Sequence, residues 1–232
     1  MGRQRPHMPI EDRGHASVVT HALAREYLTT LRDATTDRRE FHEKLDALGE
    51  LCGYELIEDR FGTASVAVET PLATAEGARV AGREDVVLVS VLRAALPLVS
   101  GLQSAFPGAR QGVVSASRDE TTDLRPDGTL PVTVDYVKVP EIRPEDTVIV
   151  ADPMLATGST LCAVLDELEA AGSPDRLLVL AAVSAPEGLA RLADAFPAAD
   201  LVTVGVDEGL DENGFIVPGL GDAGDRAFGN AE

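Results

Sequence analysis

From Asp85 onward, short continuous runs of valine, isoleucine and leucine alternate with segments of helical period. "DVVLVSVL" precedes "AALPLVSGLQSAF", "TVIVADPM" precedes "STLCAVLDELEAAG", and "RLLVLAAVS" precedes "PEGLARLADAF"; "DLVTVGVD" closes the series. A strand apolar on both faces must be covered on both faces, and helices between such strands bring each one back in the same direction. The pattern therefore predicts a doubly wound α/β fold around a parallel sheet. Between these units, "GVVSAS" and "LPVTVDYVKVP" flank the polar stretch "RDETTDLRPDG" and read as a protruding β-hairpin, flexible over 118–131.

The N-terminal part, residues 1–53, reads as a helical extension. "HASVVTHALAREYLTTLRD" spaces Val18, Leu23, Tyr27 and Leu31 near 3.6 residues, and a second helix puts Phe41, Leu45, Leu48 and Leu51 on one face. "ASVAVET" alternates like a strand that stops at Pro71. With 232 residues, 44% of them hydrophobic, one domain can bury its core without cross-links. Cys52 and Cys162 are then expected to be reduced thiols. No apolar run approaches the roughly 20 residues of a membrane span, so a soluble, cytoplasmic protein is expected.

Twenty basic residues against 39 acidic ones give a net charge of −19. Such a surface repels nucleic acid and anionic lipid, disfavouring both as partners. Adaptation to high salt would explain it, and any anion site is expected to be a local cationic island.

In doubly wound sheets ligands sit beyond the carboxyl ends of the strands. Three polar clusters fall there. In "VIVADPMLATGST" a strand delivers Asp152, and a small-residue turn leads to a helix beginning near Ser159. Backbone N–H groups of Ala156 to Thr160 and the hydroxyls of Thr157, Ser159 and Thr160 suit a phosphate, and Asp152 suits sugar hydroxyls. An ordinary N-cap fits the same letters. In "VSVLRAALPLVSGL", Arg93 offers a planar fork for phosphate oxygens, or a surface salt bridge. Arg118 at the hairpin base and Lys138 on its return strand either close over an anion or lie in a solvated loop. The third cluster, "GFIVPGLGDAGDR", offers backbone donors and acceptors to the imide edge of a pyrimidine, with Phe215 and Ile216 as apolar contacts. His7, His15, His21 and His42 all lie in the extension, away from these ends, and neither a hydrolase nucleophile motif nor a dinucleotide fingerprint is present.

At these residues the sequence resembles the uracil phosphoribosyltransferases, most of all their archaeal branch. "DPMLATGST" is similar to the family's phosphoribosyl-pyrophosphate loop and "IVPGLGDAGDR" to its uracil-binding segment. "VLRAA", "SRDE", "DYVKVPE" and "VETPL" correspond to further family motifs, and the similarity runs from about Met8 to Glu232. The resemblance implies a type I phosphoribosyltransferase fold over 1–232, with a uracil-binding segment at 207–232. It implies that Arg93 and Arg118 contact the donor pyrophosphate. Asp152, Pro153, Met154, Leu155, Ala156, Thr157, Gly158, Ser159 and Thr160 would hold ribose and 5-phosphate. Ile216, Gly221, Asp222 and Ala223 would bind uracil, Asp222 also reaching the donor. It further implies Mg2+ carried by the pyrophosphate rather than by protein ligands, a homodimer or homotetramer, and GTP and CTP as effectors. Three departures stand out: Ala95 where the family has Gly, Phe215 where Tyr is common, and "GVVS" before the hairpin. Transfer to cytosine or a purine, and a regulatory protein of the same fold, are the competing readings.

Overall fold

The computed structural model describes residues 10–118, 125 and 128–230. A nine-stranded sheet carries the fold, in the order β1 (Ile10–Asp12), β2 (Ser17–Val19), β11 (Ala199–Val206), β10 (Arg176–Ser184), β8 (Thr147–Ala151), β5 (Val86–Leu92), β6 (Arg110–Arg118) and β7 (Val132–Lys138). The two-residue β9 (Met154–Leu155) pairs with β10 off this path. The strands from β2 to β6 are parallel, and the outer pairs β1–β2 and β6–β7 are antiparallel.

Successive strand residues point to opposite faces, and both faces are filled. Val86 and Leu88 join one buried cluster with Phe41, Leu45, Leu48, Leu98 and Leu102 of α2 (Arg38–Arg60) and α3 (Leu96–Ala105). Val87, Val89 and Val91 join the other, with Leu161, Val164, Leu165, Leu189 and Leu192 of α4 (Ser159–Ala171) and α5 (Pro186–Ala195). This is the doubly wound architecture that uninterrupted Val/Ile/Leu strands demand. After β5 the chain adds β6 on one side, then β8, β10 and β11 on the other. The winding thus reverses between β5 and β8, and a crevice opens beyond their carboxyl ends.

Helices α2 and α3 meet backbone to backbone. A methyl group at Gly101 would run into the Asp46 carbonyl, and one at Gly49 into the Leu98 carbonyl. Neither helix can retreat without opening the core behind it. Gly101→Ala is therefore expected to cost about 3 kcal/mol, the upper part of the overpacking range. Thermal unfolding should report it as a Tm lowered by roughly 6–12 °C.

The N-terminal segment departs from the expected helical extension. Val18 belongs to β2, which pairs with β11, and α1 runs only from Ala22 to Arg32. His21 caps it, Nδ1 accepting from the Leu23 amide at 3.1 Å. With that start the buried face is Ala24, Leu28 and Leu31, while Leu23 is 42% exposed; Tyr27 is partly buried against the core. The β-branched pair Val18–Val19 wins an edge position in the sheet, and the helical phase shifts accordingly. The second helix keeps its expected face, Phe41, Leu45 and Leu48 buried and Leu51 partly so, but extends to Arg60. Beyond it, β3 (Thr63–Glu69) ends before Pro71, and an unforeseen β4 (Thr74–Val80) returns antiparallel to it. The two form a sheet of their own, with Leu72 at the turn 96% exposed.

Candidate active site

The crevice at the β5/β8 reversal is a cavity of about 210 Å³. Arg93 enters it from the end of β5, Arg118 from the end of β6, Asp152 from the end of β8, and Asp222 from the C-terminal loop. A smaller hollow shares Arg118, Asp152, Met154 and Thr160 with it and is completed by Leu155, Ala156, Thr157, Gly158 and Leu161. Four distant stretches of sequence thus converge on one space.

Asp152 is buried, its backbone N–H bonded to the Leu180 carbonyl and its Oδ1 accepting from the Met154 amide at 3.2 Å. Burial pushes its carboxyl up to about 6. The Met154 amide and the Arg118 charge pull the other way, and the Asp222 charge adds to the rise. The loop that follows has two functions. Pro153 gives its carbonyl to Ala182 and Val183 N–H, and Leu155 lies in the core, so this part fastens the loop to β10. Gly158, at φ 81°, then turns the chain into α4; this glycine offers no side-chain cap, and the Ser159 amide donates to Thr157 Oγ1 at 3.3 Å. Thr157 Oγ1 donates to Ser159 Oγ at 3.0 Å, Ser159 Oγ also accepts from the Leu130 amide at 3.1 Å, and Arg191 Nε holds the Thr157 carbonyl at 2.7 Å. Thr160 lines both spaces. Amides in the first turn of a helix, with fixed hydroxyls beside them, can receive a phosphate group.

Arg93 follows a cis Leu92–Arg93 peptide. Its Nη2 stands 3.5 Å from Asp225 Oδ1, and its guanidinium lies 5.9 Å from the Phe228 ring centroid. Both partners sit on α6 (Ala223–Phe228), whose N-cap is Asp222, Oδ1 accepting from the Asp225 amide at 2.8 Å. The residue itself was legible; its partners were not, although Asp222 and Asp225 show the spacing of an N-cap and its N3 position. Ala95, where the resembled family has Gly, sits buried at φ −77°, a conformation open to any residue.

The C-terminal loop consists of β12 (Gly209–Leu210), β13 (Ile216–Val217), a cis Val217–Pro218 bond and the left-handed Gly219 and Gly221 at φ 64° and 75°. Asp222, Gly224 and Asp225 line the cavity; Ile216 packs on the core and Ala223 is buried. Phe215 is 56% exposed and, like Ile216, does not line the cavity.

Other expectations change. Lys138 lies opposite Val113, whereas Arg118 pairs with Val132 at the far end of the ladder, about 16 Å away by strand rise. Lys138 does not line the cavity. Of the hairpin tip, residues 119–124, 126 and 127 lie outside the described residues, as does His7. His42 is nearer than expected, edge-on to the Phe228 ring at 5.6 Å, one ring removed from Arg93. Nor is the cavity a cationic island. Its described lining carries two guanidiniums and three carboxylates, Asp152, Asp222 and Asp225.

Comparison with known proteins agrees with this fold. The chain is 60% identical over 222 residues to the uracil phosphoribosyltransferase of Haloarcula marismortui, covering 95% of this chain and 99% of that one. It is 48% identical over 204 residues to the enzyme of that name from Thermococcus sibiricus, with 88% and 85% covered. A solved protein of Aquifex aeolicus superposes with a TM-score of 0.82 at 31% identity, over 92% of this chain and 98% of that one. An adenine phosphoribosyltransferase of Trypanosoma brucei, at 10% identity and a TM-score of 0.53 over 89% and 90%, shares the fold. The family model described as uracil phosphoribosyltransferase matches residues 18–230, nearly the whole chain, and the chain belongs to that family.

Proposed function

We propose that this chain transfers the 5-phosphoribosyl group of 5-phosphoribosyl-1-pyrophosphate to uracil, yielding UMP and pyrophosphate as a step of pyrimidine salvage. The observation that carries the reading is the convergence of Arg93, Arg118, Asp152 and Asp222 on one cavity that opens onto the 154–160 loop. In the reaction the bond from uracil N1 to the anomeric carbon forms, the bond from that carbon to the pyrophosphate oxygen breaks, and the N1 proton leaves. Arg93 and Arg118 stabilise charge on the departing pyrophosphate. The loop from Ala156 to Thr160 takes the 5-phosphate, and Asp152 accepts from the ribose hydroxyls. Ile216, Gly221, Asp222 and Ala223 orient the base, with Asp222 assisting by hydrogen bonding; holding both reactants in line supplies the remaining rate.

Mg2+ fits this lining. Among the described residues no group of three or more His, Cys, Asp or Glu could cage a metal, but Asp152 and Asp222 add carboxylates beside the phosphate positions. A cation bound mainly by substrate phosphates matches that donor set and offsets the excess of carboxylates over guanidiniums. Such an ion would neutralise the leaving group.

The proposal extends to a homodimer or homotetramer, supported by the exposed β3–β4 hairpin and Leu72. GTP and CTP as effectors rest on the resemblance, and a cytoplasmic setting on the lack of a long apolar run in the sequence; no helix among the described residues is long and apolar enough to cross a membrane. Halophily is supported by the net charge of −19. Salt should screen that self-repulsion, so the unfolding temperature is expected to rise between low and multimolar KCl. Equal stability at both would remove the idea.

The deciding assay combines purified protein, donor, Mg2+ and uracil, cytosine or a purine in parallel. UMP from uracil alone is expected. Turnover of another base in its place overturns the substrate, and no turnover of any base overturns the enzyme.

A further inference from the structure

The loop that approaches the base subsite contains glycines at positions 219 and 221, both with positive φ, and so has little stiffness of its own. Arg226 holds the Leu220 carbonyl, and one part-buried ion pair fixes Gly219. Asp207, directly after β11, has a side chain only 5% exposed. Its Oδ2 accepts from the Gly219 amide at 2.8 Å and from Arg32 Nη1 at 2.8 Å, and its Oδ1 pairs with Arg32 Nη2. Arg32 Nη1 also donates to the Gly219 carbonyl at 2.9 Å. Both backbone polar groups of Gly219 are therefore held by two side chains that are 175 positions apart in sequence. Neither side chain lines the cavity.

We propose that Asp207 and Arg32 are positioning residues for the base subsite, acting through Gly219 on the backbone from Leu220 to Ala223. The inference rests on the base-binding reading of that loop. An asparagine at 207 keeps the shape but loses the charge and one acceptor oxygen. A lysine at 32 keeps the charge but loses the fork that reaches Asp207 and the Gly219 carbonyl together. In either case the competent loop conformation becomes a fraction of the ensemble, and apparent affinity for the base falls by that fraction.

The test is steady-state kinetics of the full chain with each substrate varied in turn. Asp207→Asn is expected to raise the KM for uracil about tenfold, in line with weakening hydrogen bonds to a charged group, and to leave the KM for the ribosyl donor within about twofold. Arg32→Lys should fall between wild type and Asp207→Asn, and it carries the test if the latter does not fold. Asp146→Asn is the control. Asp146 is equally buried, pairs with Arg110 and takes the Arg143 amide at 2.6 Å, but stands at the amino end of β8, the opposite edge of the sheet. It should lower Tm and change neither KM. If both KM values rise together in the Asp207 or Arg32 variants, or neither moves, the positioning role is wrong. A wild-type chain that makes no UMP fails earlier and differently, removing the substrate assignment and this inference with it.

Discussion

Arg93→Ala is expected to lower turnover by about a hundredfold or more, with little change in Tm. Removing one preorganised charge-stabilising group typically costs about 10²–10³ in rate. Arg93 is placed to be such a group, at the end of β5 in the β5/β8 crevice. Its structural ties are slight. Its side chain is about half exposed and touches Asp225 at 3.5 Å and the Phe228 ring at 5.9 Å. An exposed pair of that length contributes little to stability. Steady-state kcat with both substrates saturating, alongside a thermal melt, separates the two effects. Turnover within threefold of wild type refutes the assignment.

Asp152→Asn should also lose activity, but gain stability. Burial raises the Asp152 carboxyl from 3.8 to about 6, so between those values the folded chain binds a proton that the unfolded chain has released. Stability contributed by this group is therefore greatest below about pH 4, falls as pH rises to about 6, and stays low above. The penalty at neutral pH is on the order of 2–3 kcal/mol, from about 1.4 kcal/mol per unit. Asparagine cannot ionise, so the variant should exceed wild type in denaturant stability at pH 7–8 and lose the advantage near pH 4. Its catalysis should drop roughly ten- to a hundredfold, the worth of hydrogen bonds from the ribose to a charged acceptor. In wild type, kcat/KM for the donor should decline as pH falls through about 6, and the variant should lack that limb. A variant less stable than wild type at pH 8 would show that the carboxylate is held by its partners more strongly than burial opposes it. Functional groups kept at a cost in stability are common where a site must bind charge.

Strands β5, β8, β10 and β11 and helices α3, α4 and α5 were legible because their apolar runs have one dominant period each, and Pro97 and Ser159 mark helix starts chemically. The short edge strands were not. Ser17–Val19 becomes a strand only because β11, some 180 residues later, offers an edge. The α1 phase followed from that pairing, and β4 lacks any apolar alternation, since both faces of its hairpin are open to solvent. At the site, residue types and their places at strand ends and in the glycine-rich C-terminal loop were readable, and Arg93, Arg118, Asp152 and Asp222 do line one cavity. Which side chains hold them was not: Arg93 meets Asp225 across 132 positions. The charge balance was misjudged for a related reason. Arginine and lysine were matched to phosphate, but carboxylates brought in by the strand ends and by α6 outnumber them.

Arg226 reaches from α6 to the carbonyls of Leu31, Asp33 and Leu220 and lies over the Phe41 ring at 4.4 Å. A six-residue helix alone would fray. Bolted in this way to the end of α1 and the start of α2, it opens only when they do. Amide exchange there is expected to follow the protection of the N-terminal helices rather than local breathing.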